Sequence, residues 1–109
     1  MKRLPKSFGC PVELSLELLG GKWKPVILAR LKDGPLRYRD LRQQIPILSD
    51  KVLTERLGEL CGQGLVLRRY GGHESTYRLS SRGESLKPVL RALYGWGKCQ
   101  ASISQVKFK

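Results

Sequence analysis

The side chains with the widest chemical range are thiols and a tight set of hydrogen-bonding groups. The thiols are Cys10, Cys61 and Cys99. Cys10 directly precedes Pro11, and proline favours the first position of a helix. That places Cys10 at or near an N-cap, where the helix dipole favours a thiolate. Lys2, Arg3 and Lys6 on the same arm add positive charge. Cys10 is therefore a candidate redox-sensing residue, open to a small electrophile or oxidant. The plainer reading makes it a small, half-buried residue at a subunit seam. Cys61 follows Leu60 at a helix end and reads as an inert thiol, and Cys99 lies in a polar C-terminal stretch.

The second set is Ser49, Asp50, Lys51, Thr54 and Glu55, spaced along the outer face of one short helix. Lysine bonds guanine, and threonine meets a base, a phosphate or a thymine methyl. Glutamate accepts from cytosine, although Glu55 equally suits an ion pair with Lys51 four residues back. These five are the expected base contacts. Arg56 lies nearer the helix flank. With Arg37, Arg39, Arg42, Arg68, Arg69 and Arg78 it makes the expected phosphate contacts.

Enzymatic chemistry finds little support. A nucleophilic Cys10 needs a base, and the one histidine, His73, lies far along the chain in a turn. The cysteines lack metal spacing, and their odd number suits a reducing, cytoplasmic setting over a disulfide scaffold. No phosphate-cradling glycine loop is present, so no metal or cofactor is expected.

The 109 residues amount to one domain, with 21 basic against 9 acidic side chains and a formal charge of +12. Such an excess points to a polyanion, most simply nucleic acid. It is uneven: residues 34–62 carry five basic and four acidic groups, residues 63–83 four and one. No apolar run of about 20 residues suggests a membrane span, and the basic start lacks the apolar core of a secretory signal.

Patterning supplies the elements that position these groups. Pro11–Leu19 reads as a helix, with Glu13 and Glu17 on one polar face and Gly20-Gly21 ending it. Lys22–Leu31 carries the stripe Trp23, Val26, Ile27, Leu31. Tyr38–Gln44 is a short helix closed by Pro46, with Leu41 and Ile45 inward. Ser49 caps the next helix, which runs to about Cys61 with Val52, Leu53, Leu57 and Leu60 inward. Leu65–Tyr70 and Ser75–Leu79 read as a hairpin around Gly71-Gly72-His73-Glu74. Ser80-Ser81 and Glu84 offer the cap of a last helix.

The order is helix, helix, short helix, turn, capped helix, hairpin, helix. It predicts a mainly α fold with a small β-hairpin wing, a winged helix-turn-helix. The expected organisation is a basic arm at 1–9, a domain at 10–98 and a tail at 99–109. The last helix carries Leu86, Val89, Leu90, Leu93 and Trp96, a wider stripe than one small core needs. These five are the expected homodimer interface.

The stretch C-P-V-E-L-S-L-E-L-L-G-G-K-W-K-P-V-I-L at 10–28 resembles the opening of HxlR-type winged-helix transcriptional regulators. L-R-Y-R-D-L-R-Q-Q-I at 36–45, L-S-D-K-V-L-T-E-R-L-G-E-L at 48–60, G-L-V-L-R-R-Y at 64–70 and Y-R-L-S-S-R-G-E-S-L at 77–86 extend the likeness. The resemblance implies a bacterial or archaeal regulator, dimeric through its first and last helices. Its two recognition helices would enter successive major grooves, with Ser49, Lys51 and Thr54 at the DNA. It also strengthens Cys10 as a sensor of electrophiles or oxidants, and a Cys10–Cys99 pairing across the dimer becomes a hypothesis. The chain departs from the family at the wing tip, where Gly71-Gly72-His73-Glu74 stands in place of a Pro-Pro pair. The reading is a DNA-binding repressor that is not an enzyme. The alternative is a general basic module for DNA or RNA without redox sensing.

Overall fold

A computed structural model describes residues 7–108. Lys2, Arg3 and Lys6, expected to flank Cys10, lie outside the described residues, as does most of the 1–9 arm.

Helices α1 (Pro11–Leu19) and α2 (Trp23–Leu31) lead into a two-residue strand β1 (Leu36–Arg37), followed by α3 (Tyr38–Gln44) and α4 (Asp50–Gly62). Strands β2 (Val66–Gly71) and β3 (Glu74–Leu79) form the hairpin, and α5 (Ser81–Glu84) and α6 (Lys87–Ser104) complete the chain. The α4 N-terminus is held as its sequence predicts: Ser49 Oγ accepts from the Val52 N–H at 3.1 Å. In the hairpin Gly71 pairs with Glu74, leaving Gly72-His73 as the loop. Gly72 takes φ +59°, and a first central residue of positive φ suits glycine in a II′ turn.

The core is one cluster. Ile27, Leu28 and Leu31 of α2 meet Leu41 of α3 and Leu53, Leu57 and Leu60 of α4. Val66, Tyr77 and Leu79 close it from the sheet. Leu67 of β2 points away from this cluster and is exposed.

The structure corrects four expectations. The wing is part of a three-stranded antiparallel sheet in the order β1-β3-β2, with Leu36 opposite Tyr77 and Arg37 opposite Thr76. Ser80 caps the separate short helix α5, accepting from the Gly83 N–H, and not the last helix. The last helix runs on to Ser104, anchored by buried Ala101, so the stretch from 99 to 104 is helical and not a tail. Leu90, assigned to a subunit interface, is only 3% exposed and belongs to this chain's own core, with Leu86 packed against it.

By contrast α1 buries no residue, and Val12 and Leu16 stand in the open. So do Val89, Leu93, Tyr94, Trp96 and Ile103 of α6. Among the described residues no helix is long and apolar enough to cross a membrane.

Candidate nucleic-acid interface

The helix-turn-helix is α3, the turn through Pro46 and Leu48, and α4. Burying Leu53, Leu57 and Leu60 fixes the rotation of α4, and its other side then faces out. Ser49, Asp50, Lys51, Thr54, Glu55 and Gly58 are all exposed on that side.

Their availability differs. Asp50 is engaged within the chain: Tyr38 Oη donates to its Oδ1 at 2.7 Å, and Arg42 Nε sits 3.0 Å from the same oxygen. Arg42 Nη1 also donates to the Leu48 carbonyl. Asp50 and Arg42, expected at a base and at a phosphate, thus fasten the two helices and the turn together. Tyr38 Oη lies 3.4 Å from Thr54 Oγ1 as well. The Tyr38 hydroxyl is held above its usual pKa, first by burial, with Thr54 opposing and Asp50 adding to the shift. Lys51 makes no ion pair among the described residues, and Glu55 lies 3.9 Å from Arg56 and not against Lys51.

Most of the expected phosphate contacts on the helices are paired too. Arg37 bonds Asp40 at 3.0 Å and reaches Glu74 at 3.6 Å, and Arg39 holds Glu74 at 2.9 Å. The Arg37 guanidinium holds the Asp40 carboxyl below the usual range. Arg56 bonds Glu59. The sequence's acid count registered this compensation as a net charge but did not say which arginines it would occupy.

The wing arginines lie on two faces. Arg68 is opposite Tyr77, on the face that packs toward α4, whereas Arg69 lies opposite Thr76 and Arg78 opposite Leu67 on the other face. Arg68 stacks on Tyr70, 4.2 Å from the ring centre, and its Nε donates to Ser75 Oγ at 3.0 Å. Between wing and helix lies an open cleft of about 660 Å³, with Tyr38, Thr54 and Gly58 on one wall and Arg68, His73 and Ser75 on the other. Cys61 lines its floor, half-buried, and burial pushes its thiol pKa up.

Cys10 is exposed at the α1 N-cap. The Glu13 carboxylate already occupies that positive helix end, accepting from the Gly9 and Cys10 N–H groups. Cys99 is exposed on α6. Among the described residues no group of three or more histidines, cysteines or acids could hold a metal ion.

The α4 scaffold holds one pair that sequence reasoning missed. Lys24 of α2 is buried, 7% exposed, and its Nζ lies 3.0 Å from Glu59 Oε2. Lys24 sits between Trp23 and Pro25, where a polar residue reads as solvent-facing, and its partner is remote in sequence.

Comparison with known proteins gives this arrangement a family. A family model of HxlR-like helix-turn-helix proteins matches residues 18–105. The uncharacterized HTH-type transcriptional regulator YkvN of Bacillus subtilis is 40% identical over 95 residues, spanning 84% of this chain and 80% of that protein. Among solved structures, the redox regulator HypR in its reduced form superposes with a TM-score of 0.81 at 30% identity, over 90% of this chain and 100% of that one. Quinone-bound YodB of B. subtilis superposes with a TM-score of 0.70 at 34% identity, over 82% and 97%. This chain belongs to the HxlR-like helix-turn-helix family, DNA-binding winged-helix transcriptional regulators and not enzymes.

Proposed function

We propose that this chain is a homodimeric, sequence-specific repressor on double-stranded DNA, with α4 as its recognition helix. The observation that carries this reading is the exposed Lys51, which makes no ion pair among the described residues, on a capped helix beside a cleft whose far wall carries Arg68. The α4 N-terminal half fits the major groove, with Ser49, Lys51, Thr54 and Glu55 toward base edges. Arg68 and the wing tip meet phosphate alongside.

The exposed apolar side chains of α1 and α6 support a dimer, since contiguous patches of this kind mark interfaces. Two recognition helices then read half-sites about one DNA turn apart. A dimer lying over a promoter blocks polymerase, which makes repression the simplest output. A cytoplasmic setting, where thiols are kept reduced, suits the exposed Cys10.

Cys10 is the proposed sensor. Its thiol adds to a quinone ring carbon, forming an S–C bond while the proton passes to the ring, which ends as a hydroquinone thioether. Alternatively two thiols close a disulfide, giving two electrons and two protons to an oxidant such as diamide. Cys99 of a second copy is the candidate partner.

The test is fluorescence anisotropy on duplex DNA from upstream of this gene, with random duplex and RNA as competitors at fixed salt. Lys51→Ala is expected to weaken the specific complex more than the random one, and equal weakening overturns α4 as the reader. Oxidation is expected to change the specific affinity in the wild type and not in Cys10→Ser. Equal competition by RNA would instead favour a general polyanion binder, the reading that the +12 charge alone supports.

A further inference from the structure

Thr54 is the one short hydroxyl in the middle of the exposed α4 face, and the group it meets inside the protein decides what it can offer outside. Its hydroxyl has one hydrogen-bond partner among the described residues, Tyr38 Oη at 3.4 Å. Tyr38 has one proton. The Asp50 carboxylate, 2.7 Å away, accepts and cannot donate. The tyrosine proton therefore lies toward Asp50, and Arg42 Nε at 3.0 Å from the same oxygen holds that carboxylate in place. What remains on Tyr38 Oη toward Thr54 is a lone pair. That lone pair gives the Thr54 proton an acceptor on its inward side, and with the proton turned there the outward side carries lone pairs alone.

We infer that the Tyr38–Asp50 pair fixes Thr54 as a hydrogen-bond acceptor, so that Thr54 selects a base presenting an exocyclic amine, adenine or cytosine, over guanine or thymine. In the major groove adenine offers N6–H₂ and cytosine N4–H₂ to an acceptor, whereas guanine offers O6 and N7 and thymine offers O4. A freely rotating threonine hydroxyl serves either set. Tyr38 is thus a positioning residue that sets specificity without touching DNA. The inference rests on α4 being the recognition helix.

The experiment is selection from a pool of randomised duplexes with wild type, Thr54→Val, Thr54→Ser, Tyr38→Phe and Asp50→Ala, each checked for folding by thermal melting. Thr54→Val, which keeps the methyl and removes the hydroxyl, identifies the position in each half-site that Thr54 reads. There the wild type is expected to prefer adenine or cytosine by about 2- to 10-fold, the range of one net hydrogen bond. Thr54→Ser is expected to keep the preference. Tyr38→Phe and Asp50→Ala are expected to reduce it to under about 2-fold at that position while leaving the other positions unchanged. Any loss of helix fastening lowers affinity for all sequences alike and does not move one position. A Thr54-dependent position that prefers guanine or thymine overturns the inference. So does an unchanged preference in folded Tyr38→Phe, and in both cases α4 remains the reader. If the wild type enriches no motif, the recognition-helix reading fails and this inference falls with it.

Discussion

Lys24 of α2 ends 3.0 Å from the Glu59 carboxylate of α4, across the base of the recognition helix. The lysine is buried, while the glutamate side chain is 42% exposed and shared with Arg56. The pair therefore fixes α4 on its scaffold from one side, and the Tyr38–Asp50 bond fixes it from the other. Removing Glu59 strands the buried lysine charge, whereas replacing Lys24 by an apolar chain of similar length leaves a carboxylate that is half-exposed and still paired with Arg56.

Glu59→Ala is accordingly expected to cost about 2 kcal/mol, and Lys24→Met under about 1 kcal/mol, measured by urea unfolding. The hydrogen bond to Lys24 is the first cause holding the Glu59 carboxyl below its ordinary range. Its contribution to stability is then complete above the ordinary glutamate pKa and is lost as pH falls through the lower folded value. Glu59→Gln is expected to flatten that acid limb. An acid limb unchanged in Glu59→Gln would show that the pair contributes nothing to stability.

The two faces of the wing predict unequal salt dependence. Arg68 looks toward α4, and Arg78 lies opposite Leu67 on the far face. Arg68→Ala is expected to reduce the slope of log Kd against log salt by about one, the value for one phosphate contact, and Arg78→Ala by much less. Arg39→Ala also changes little, because Glu74 already neutralises that guanidinium at 2.9 Å. Equal slopes for Arg68→Ala and Arg78→Ala would remove the cleft as the path of the DNA backbone.

Most of the scaffold was legible because its signals are local. Pro46 closes α3, Ser49 caps α4, and the 3.6-residue stripe names Leu53, Leu57 and Leu60 as the inward set. What escaped depends on partners far along the chain. Strand β1 is two residues long, too short to alternate, and exists because Tyr77 and Thr76 pair with it. Periodicity marked Leu90 as apolar but could not say whether its neighbour was this chain or another. The boundary expected at residue 98 falls inside α6, which passes through Gly95 and Gly97 to reach buried Ala101. The site was legible as a face and not as a set of free groups, since net charge counts Asp50, Glu59 and Glu74 without saying which cations they hold.

The split of the α6 stripe gives a clean contrast. Trp96 is 67% exposed and Leu90 is in the core. Trp96→Asp is expected to leave the melting of the monomer fold intact and to shift sedimentation toward the mass of one chain. Leu90→Asp is expected to unfold the chain, since a buried unpaired carboxylate has no compensation. If Trp96→Asp sediments as a dimer, the interface lies elsewhere.

Two glycines should respond in opposite ways to alanine. At Gly83 an added Cβ would meet the Leu65 carbonyl oxygen at 2.1 Å, backbone that cannot swing aside. Gly83→Ala is expected to cost about 3 kcal/mol. Gly58 has nothing within 4 Å of its would-be Cβ, sits inside α4 with helical neighbours, and lines the cleft. Glycine in a helix interior is disfavoured against alanine by about 1 kcal/mol, so Gly58→Ala is expected to raise the melting temperature by a few degrees. The same methyl projects where the duplex backbone would approach the helix, so affinity for DNA is expected to fall several-fold. A stabilised variant with weaker DNA binding separates a glycine kept for the DNA from one kept for folding. Gly58→Ala with both properties raised would show that the duplex does not come close to this part of α4.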